Sequence, residues 1–139
     1  KIRAFVFSSY LGEVTNEFKG SNLEKAIESA LSKYGGGSTD YAHSFSDFIS
    51  LCLDDIDKKT TVVILGDARN NFGLDKAYLL KSVYQRAKQV YWLNPEGKYR
   101  WNTGDSVMNN YSAYCTKVFE CGTLKQLERV ISTLLKTAV

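Results

Sequence analysis

The sequence is poor in the features that mark several protein classes. It has one proline and one histidine among 139 residues, and no apolar run approaches the roughly 20 residues of a membrane-spanning helix. Its 18 basic and 15 acidic residues are interspersed, so no block of Lys and Arg predicts a nucleic-acid or membrane surface. Nothing resembles a secretory signal. We therefore expect neither a nucleic-acid partner nor a membrane partner.

Cysteine and histidine are also scarce. Cys52, Cys115 and Cys121 form an odd set without a CxxC pair, which favours reduced thiols and a cytoplasmic location. His43 is the sole histidine and lies far from the last two cysteines in sequence, so a zinc site is not favoured. Its place early in a predicted helix favours a surface or packing role over catalysis. With 44% hydrophobic residues, the chain suits a single domain over 1–139.

What the chain does contain is an alternation of strand and helix patterns, which predicts an α/β fold with a mostly parallel sheet and helices on both faces. The predicted strands cover 2–7, a short edge strand at 13–18, and then 62–65, 90–94 and 116–121. The predicted helices cover 21–37, 38–55, 74–89 and 123–137. The last helix should point six apolar side chains inward: Leu124, Leu127, Val130, Ile131, Leu134 and Leu135.

The stretch "TTVVILGDARNN" is the most informative one. Its apolar run, Val62 to Leu65, predicts a strand buried on both faces, yet the strand ends at Gly66 and the carboxylate of Asp67. Ligand sites in α/β folds lie at the carboxyl ends of the parallel strands. Three polar loops should therefore meet at one sheet edge: Ser8 with Ser9, the segment 66–71, and the long segment after Asn94.

A second stretch, "GGGSTDY", supplies a hydroxyl that could act together with Asp67. Thr39 and Asp67 are hard oxygen donors of the kind that Mg²⁺ or Mn²⁺ prefers. The glycines lack the spacing of a phosphate-binding loop, so a helix stop followed by a flexible turn is the favoured explanation. Ser38, Thr39 and Asp40 also have a simpler interpretation, which is capping of the following helix.

Other polar residues near this edge are candidates for partner binding. Arg69 and Asn70 follow Asp67, and Arg69 could bind an acidic partner, pair with Asp67, or form a surface salt bridge. In the long loop, Trp101 and Asp105 could shape a binding surface, or Trp101 could simply hold the loop against the sheet edge. The full set of candidate partner-binding residues is Ser8, Ser38, Asp40, Arg69, Asn70, Trp101 and Asp105.

The order of several motifs resembles that of CoxE-like von Willebrand factor A domains. The segments "VFSSYLGEVT", "GGGSTDY", "TTVVILGDARNN", "VYWLNPE", "RWNTGDSVM" and "LKQLERVI" carry this resemblance along essentially the whole chain. The resemblance implies a Rossmann-like open sheet of the von Willebrand factor A type. It also implies a metal-ion-dependent adhesion site, in which Thr39 and Asp67 match the loop threonine and the strand-end aspartate.

The first element of that site, a DxSxS motif after the first strand of the family, has no match here. Ser8 and Ser9 do not replace it, because no aspartate precedes them at the required spacing. The resemblance thus implies that the first strand and its motif lie upstream of Lys1. We expect Mg²⁺ or Mn²⁺ in the complete domain, and weak or no metal binding by these 139 residues.

Without its first strand, the family sheet would leave the two flanking strands without their shared neighbour. We expect the missing segment, a strand exchanged with another copy in an oligomer, or a rearranged sheet to fill this gap.

The resemblance implies a binding module that is not an enzyme. Its metal would accept an acidic side chain from a protein partner, and related proteins act with MoxR-type AAA+ ATPases in the maturation or assembly of protein complexes. The alternative is a metal-dependent, phosphoesterase-like α/β enzyme that uses Asp67. It is disfavoured because no second acid lies at short spacing from Asp67 and no general base or phosphate loop is evident.

Overall fold

The computed structural model describes residues 2–9, 11–16, 19, 25, 28–29, 32 and 39–137. The helix predicted over 21–37 lies almost entirely outside this part of the chain, and so does Ser38.

The strands form two separate sheets. Strands β1 (Phe5–Phe7) and β2 (Leu11–Glu13) make an antiparallel hairpin. Strands β3 (Thr61–Leu65), β4 (Gln89–Asn94) and β5 (Lys117–Glu120) make a parallel sheet in the order β3-β4-β5.

Four α-helices have described bounds: α1 (Tyr41–Cys52), α2 (Tyr78–Arg86), the short α3 (Met108–Ser112) and α4 (Leu124–Thr137). Two 3₁₀ turns with described bounds lie at Leu53–Asp55 and Lys98–Arg100. Helix α1 begins at Tyr41 because the Asp40 carboxylate accepts a hydrogen bond from the backbone N–H of His43 at 2.9 Å, as the capping interpretation predicts.

Hydrophobic clusters lie on both faces of the parallel sheet, which confirms the predicted α/β, Rossmann-like architecture. The larger cluster joins α1 and α2 to the sheet and centres on Trp92, which is fully buried and stacks on Tyr111 with ring centroids 5.0 Å apart. On the opposite face, Tyr91 and Leu93 pack against Val130 of α4. The alternation of side chains along β4 thus supplies both cores.

Several predicted elements begin or end at different residues in the structure. Of the edge strand predicted at 13–18, residues 17 and 18 lie outside the described part of the chain, and the described strand runs over Leu11–Glu13. Strand β1 begins at Phe5 instead of residue 2. The hydrogen-bond ladder between β1 and β2 begins at Phe5 because the backbone N–H of Ala4 donates to the Thr15 hydroxyl at 3.0 Å instead of to a strand carbonyl. Helix α2 begins at Tyr78 instead of 74, since Asp75 caps the N–H of Ala77 at 2.8 Å in the preceding turn.

The predicted burial of β3 on both faces is wrong. Ile64 is buried, but Val63 is 40% exposed and Leu65 is 62% exposed. Among the described residues, only one face of β3 packs against a core, that of α1 and α2. In α4, Leu124 and Ile131, both predicted to point inward, are 74% and 46% exposed.

Candidate functional site

Asp67 lies immediately beyond the carboxyl end of β3, and its carboxylate is oriented by the chain around it. The Oδ1 atom accepts a hydrogen bond from the backbone N–H of Arg69 at 2.9 Å and a longer one from the Tyr41 hydroxyl at 3.4 Å. Its carbonyl oxygen accepts the side-chain amide of Asn94 at 3.3 Å, at the end of β4. A strand-end carboxylate is thus held between two strands and helix α1.

Tyr41 belongs to this site, although the sequence did not single it out. Tyr41 is 2% exposed, and its hydroxyl accepts the backbone N–H of Ala68 at 3.1 Å while donating to Asp67. Burial raises the pKa of this hydroxyl well above its usual range. A Cβ atom at Gly66 would collide with the Tyr41 hydroxyl. Gly66, which precedes Asp67, therefore makes room for the Tyr41 hydroxyl. In the sequence, the position of Tyr41 at the end of "GGGSTDY" was the signal that could have placed it at this site.

The loop that follows β3 has an unusual backbone. Ala68, Asn71, Phe72 and Lys76 adopt positive φ angles of 59°, 56°, 59° and 47°. This region disfavours residues with a Cβ atom, and for a bulky residue such as phenylalanine it is rare. Such strain persists only where surrounding contacts impose it, and it concentrates at functional sites.

Arg69 is held in an ion-pair cluster by two acids of the long loop. Its guanidinium contacts Glu96 at 2.8 Å and Asp105 at 3.0 Å, and it donates to the Thr103 carbonyl at 2.9 Å. The guanidinium holds the pKa of the Asp105 carboxyl below its usual value. Of the three roles considered for Arg69, the structure shows the salt bridge. Its partners are Glu96 and Asp105, and it does not pair with Asp67.

The polar loops predicted to meet at this edge do meet. Asn71 donates its side-chain amide to the Thr39 carbonyl at 3.4 Å and its backbone N–H to Asp105 at 3.1 Å. The backbone N–H of Asp40 donates to the Ser8 carbonyl at 2.8 Å. Ser8 itself is only 7% exposed, while Asp40 is exposed and caps α1.

The remaining candidate partner-binding residues make contacts that hold the loops at this edge of the sheet together. Asn70 closes its own turn, since its side-chain amide donates to the Gly73 carbonyl at 2.6 Å. Trp101 is half-buried and donates its indole N–H to the Glu96 carbonyl at 2.9 Å, which agrees with the holding role considered for it. The long loop carries α3, whose Tyr111 is fully buried, so this segment is packed onto the sheet. His43 is exposed on α1 beside Asp47.

The side chains at this edge are of the type that binds a hard divalent cation, but they are too few to complete its coordination. Thr39 and Asp67 offer a hydroxyl and a carboxylate, which are suitable ligands for Mg²⁺ or Mn²⁺. Within the described residues there is no group of three or more His, Cys, Asp or Glu side chains that could hold a metal ion. Further ligands would have to come from water, from a partner or from another segment.

Comparison with known families agrees with this architecture. The family model described as "VWA domain containing CoxE-like protein" matches residues 1–130. The chain belongs to the CoxE-like von Willebrand factor A family. No curated protein and no solved structure matches it. This membership confirms the resemblance described above and, in general terms, makes the chain a protein-interaction module. No helix among the described residues is long and apolar enough to cross a membrane.

Proposed function

We propose that this von Willebrand factor A domain binds a protein partner through a metal-ion-dependent adhesion site that includes Thr39 and Asp67. The observation that carries the proposal is the strand-end carboxylate of Asp67, fixed by Tyr41 and by the backbone of Arg69. A preoriented carboxylate lowers the entropy cost of gathering ligands around an ion. The metal, when bound, would accept an acidic side chain of the partner as an additional ligand.

The charge distribution around Asp67 supports a role in which a metal supplies the positive charge. The nearest cation in its loop, Arg69, is occupied by Glu96 and Asp105. Arg69 therefore does not neutralise Asp67, and its guanidinium is not free to bind a partner's acid. A divalent cation at Asp67 would attract that acid instead. We further propose a MoxR-type AAA+ ATPase as the partner, in the maturation or assembly of protein complexes, on the strength of the family relationship.

The proposal is tested by substituting Asp67→Asn in the complete domain. The asparagine keeps an oxygen that accepts the Arg69 N–H, so the fold should survive while the charge that holds the metal is lost. Asp54→Ala is a matched control, because Asp54 is an exposed acid in the 3₁₀ turn after α1.

Binding to the MoxR-type ATPase is measured by biolayer interferometry with Mg²⁺ and with EDTA. We expect magnesium-dependent binding in the wild type and in Asp54→Ala, and a loss of at least tenfold in affinity for Asp67→Asn. Equal binding by all three proteins, or binding that EDTA does not reduce, would contradict the proposal.

A further inference from the structure

The connection from β3 to the start of α2, which also carries Asp67, exposes three large apolar side chains. Phe72 is 82% exposed, Leu74 80% and Tyr78 62%. Single exposed apolar residues are common on protein surfaces, whereas clustered ones mark binding surfaces. These three residues line one pocket of about 570 Å³ together with Lys76. We call the four residues the Phe72 patch.

The backbone holds Phe72 in this exposed position. Its φ angle is +59°, which is rare for a bulky residue. The Asn70 side chain imposes this angle, because its oxygen accepts the Phe72 N–H at 3.1 Å and its amide donates to the Gly73 carbonyl at 2.6 Å. The Asn71 N–H adds a hydrogen bond to Asp105 at 3.1 Å. The backbone that carries the exposed ring is thus ordered before any partner binds, which lowers the entropy cost of binding.

The Phe72 patch lies on the side of this connection that faces the long loop after β4. The rest of the pocket lining comes from the same connection and from Gly104, Asp105 and Val107. The two segments are joined by the Asn70 N–H, which donates to the Asp105 carbonyl at 3.2 Å. No residue of β1, β2 or β3 lines the pocket. The patch is therefore distinct from the slot between β1 and β3 that the family resemblance assigns to the first strand of the domain.

Lys76 is the charged residue of the pocket lining whose charge has no partner. The lining holds two acids, Asp75 and Asp105. The Asp75 carboxylate accepts the Ala77 N–H at 2.8 Å and the Asn110 amide at 2.7 Å, and Asp105 belongs to the ion-pair cluster described above. Lys76 is exposed and forms no salt bridge with any residue that the structure describes. A carboxylate supplied by a partner would complement it.

This single unpaired charge decides between the possible occupants. A second copy that met the patch symmetrically would bring two Lys76 ammonium groups together without an acid between them. An anionic membrane is attracted by clusters of basic residues, and the patch has only one. A small molecule is largely enclosed by its pocket, whereas these side chains remain mostly open to water. A protein segment that offers both an apolar side chain and a carboxylate would contact all four residues.

We propose that the Phe72 patch binds a protein segment in which a large apolar side chain lies beside an acidic residue. The apolar side chain packs among Phe72, Leu74 and Tyr78, and the carboxylate pairs with Lys76. Exposed aromatic side chains in such clusters are common anchors of protein interfaces. This contact needs no metal, so it goes beyond the adhesion site that includes Asp67 and is tested separately from it.

The probe is a random peptide library displayed on phage, which is selected in EDTA on the wild-type chain and, in parallel, on Phe72→Asn. Asparagine tolerates a positive φ angle better than phenylalanine does, so this variant removes the ring and keeps the turn. We expect a class of peptides that is enriched on the wild type alone and combines an acid with leucine, phenylalanine or tryptophan. In fluorescence anisotropy, Phe72→Asn should bind these peptides at least tenfold more weakly.

The charge is tested with Lys76→Gln, which keeps most of the side-chain length and removes the ammonium group. It should bind the selected peptides several-fold more weakly, and its binding should depend less on salt than that of the wild type. Lys59→Gln is the matched control, because Lys59 is an exposed lysine in the turn before β3. Tyr99→Ala is the control for loss of an aromatic ring, because Tyr99 is 85% exposed and lies outside the pocket. Both controls should bind as the wild type does.

Three results would overturn the proposal. The first is that no class of selected peptides depends on Phe72. The second is that Lys76→Gln binds the selected peptides as tightly as the wild type. The third is that Phe72→Asn reduces self-association in sedimentation velocity, or binding to phosphatidylserine vesicles, because the occupant would then be a second copy or a membrane. Since all binding is measured in EDTA, none of these results bears on the metal site.

Discussion

Removal of the Tyr41 hydroxyl tests the local argument on which the candidate site depends. In Tyr41→Phe the ring remains packed between Phe45, Trp92 and Tyr111. The Ala68 N–H, however, loses its acceptor at 3.1 Å, and Ala68 has 0% exposure to water. An orphaned buried donor costs about 1–3 kcal/mol of unfolding free energy.

For a domain of this size, each kcal/mol lowers the melting temperature by about 3 °C. We therefore expect Tyr41→Phe to melt about 3–9 °C below the wild type in a thermal scan followed by circular dichroism. Tyr99→Phe is the matched control, because Tyr99 is 85% exposed and its variant should melt within about 1 °C of the wild type. Equal melting temperatures for Tyr41→Phe and the wild type would refute the role assigned to this hydroxyl.

Three further predictions concern the ion-pair cluster, the core and the thiols. Because the Arg69 guanidinium holds the Asp105 pKa below its ordinary value in the folded state, this carboxylate stabilises the fold fully above about pH 5 and progressively less as the pH falls. Urea unfolding between pH 6 and pH 2.5 should thus show a shallower loss of stability in Asp105→Asn than in the wild type; equal slopes would contradict this. Leu80 is 1% exposed, so Leu80→Ala should lower the unfolding free energy by about 2–5 kcal/mol in urea titrations, whereas a loss below about 1 kcal/mol would contradict its place in the core. Partial burial raises the pKa of the Cys115 thiol to about 12, so in a Cys52→Ser, Cys121→Ser background it should react with DTNB at pH 8 far more slowly when folded than in urea, and equal rates would contradict this raised pKa.

The sequence predicted the elements whose patterns are local. The capping of α1 by Asp40, the buried run of β4 and the position of Asp67 after β3 all follow from neighbouring residues, and the structure has them. The meeting of the loops after β3 and β4 followed from a general property of parallel sheets. The loop after β1, which belongs to the hairpin, reaches this edge through the hydrogen bond between Asp40 and Ser8.

The errors concern relations between distant segments. Whether Val63 and Leu65 are covered depends on what packs against that face of the sheet, which the apolar run itself does not encode. The start of α2 depends on an aspartate turn that competes with the helix pattern. The Arg69 cluster joins residues 27 and 36 positions apart, and no local pattern reveals such a pairing.

The most direct test of the adhesion-site account is a calorimetric titration of Mg²⁺ and Mn²⁺. The ions are titrated into this chain and into a version extended at its N-terminus by the DxSxS segment that the family resemblance implies. The account predicts saturable binding by the extended version, weak or no binding by the 139 residues alone, and loss of binding in the extended Asp67→Asn variant. Binding by neither version, or binding that Asp67→Asn leaves unchanged, would contradict the claim that Asp67 is a ligand of a metal-ion-dependent adhesion site.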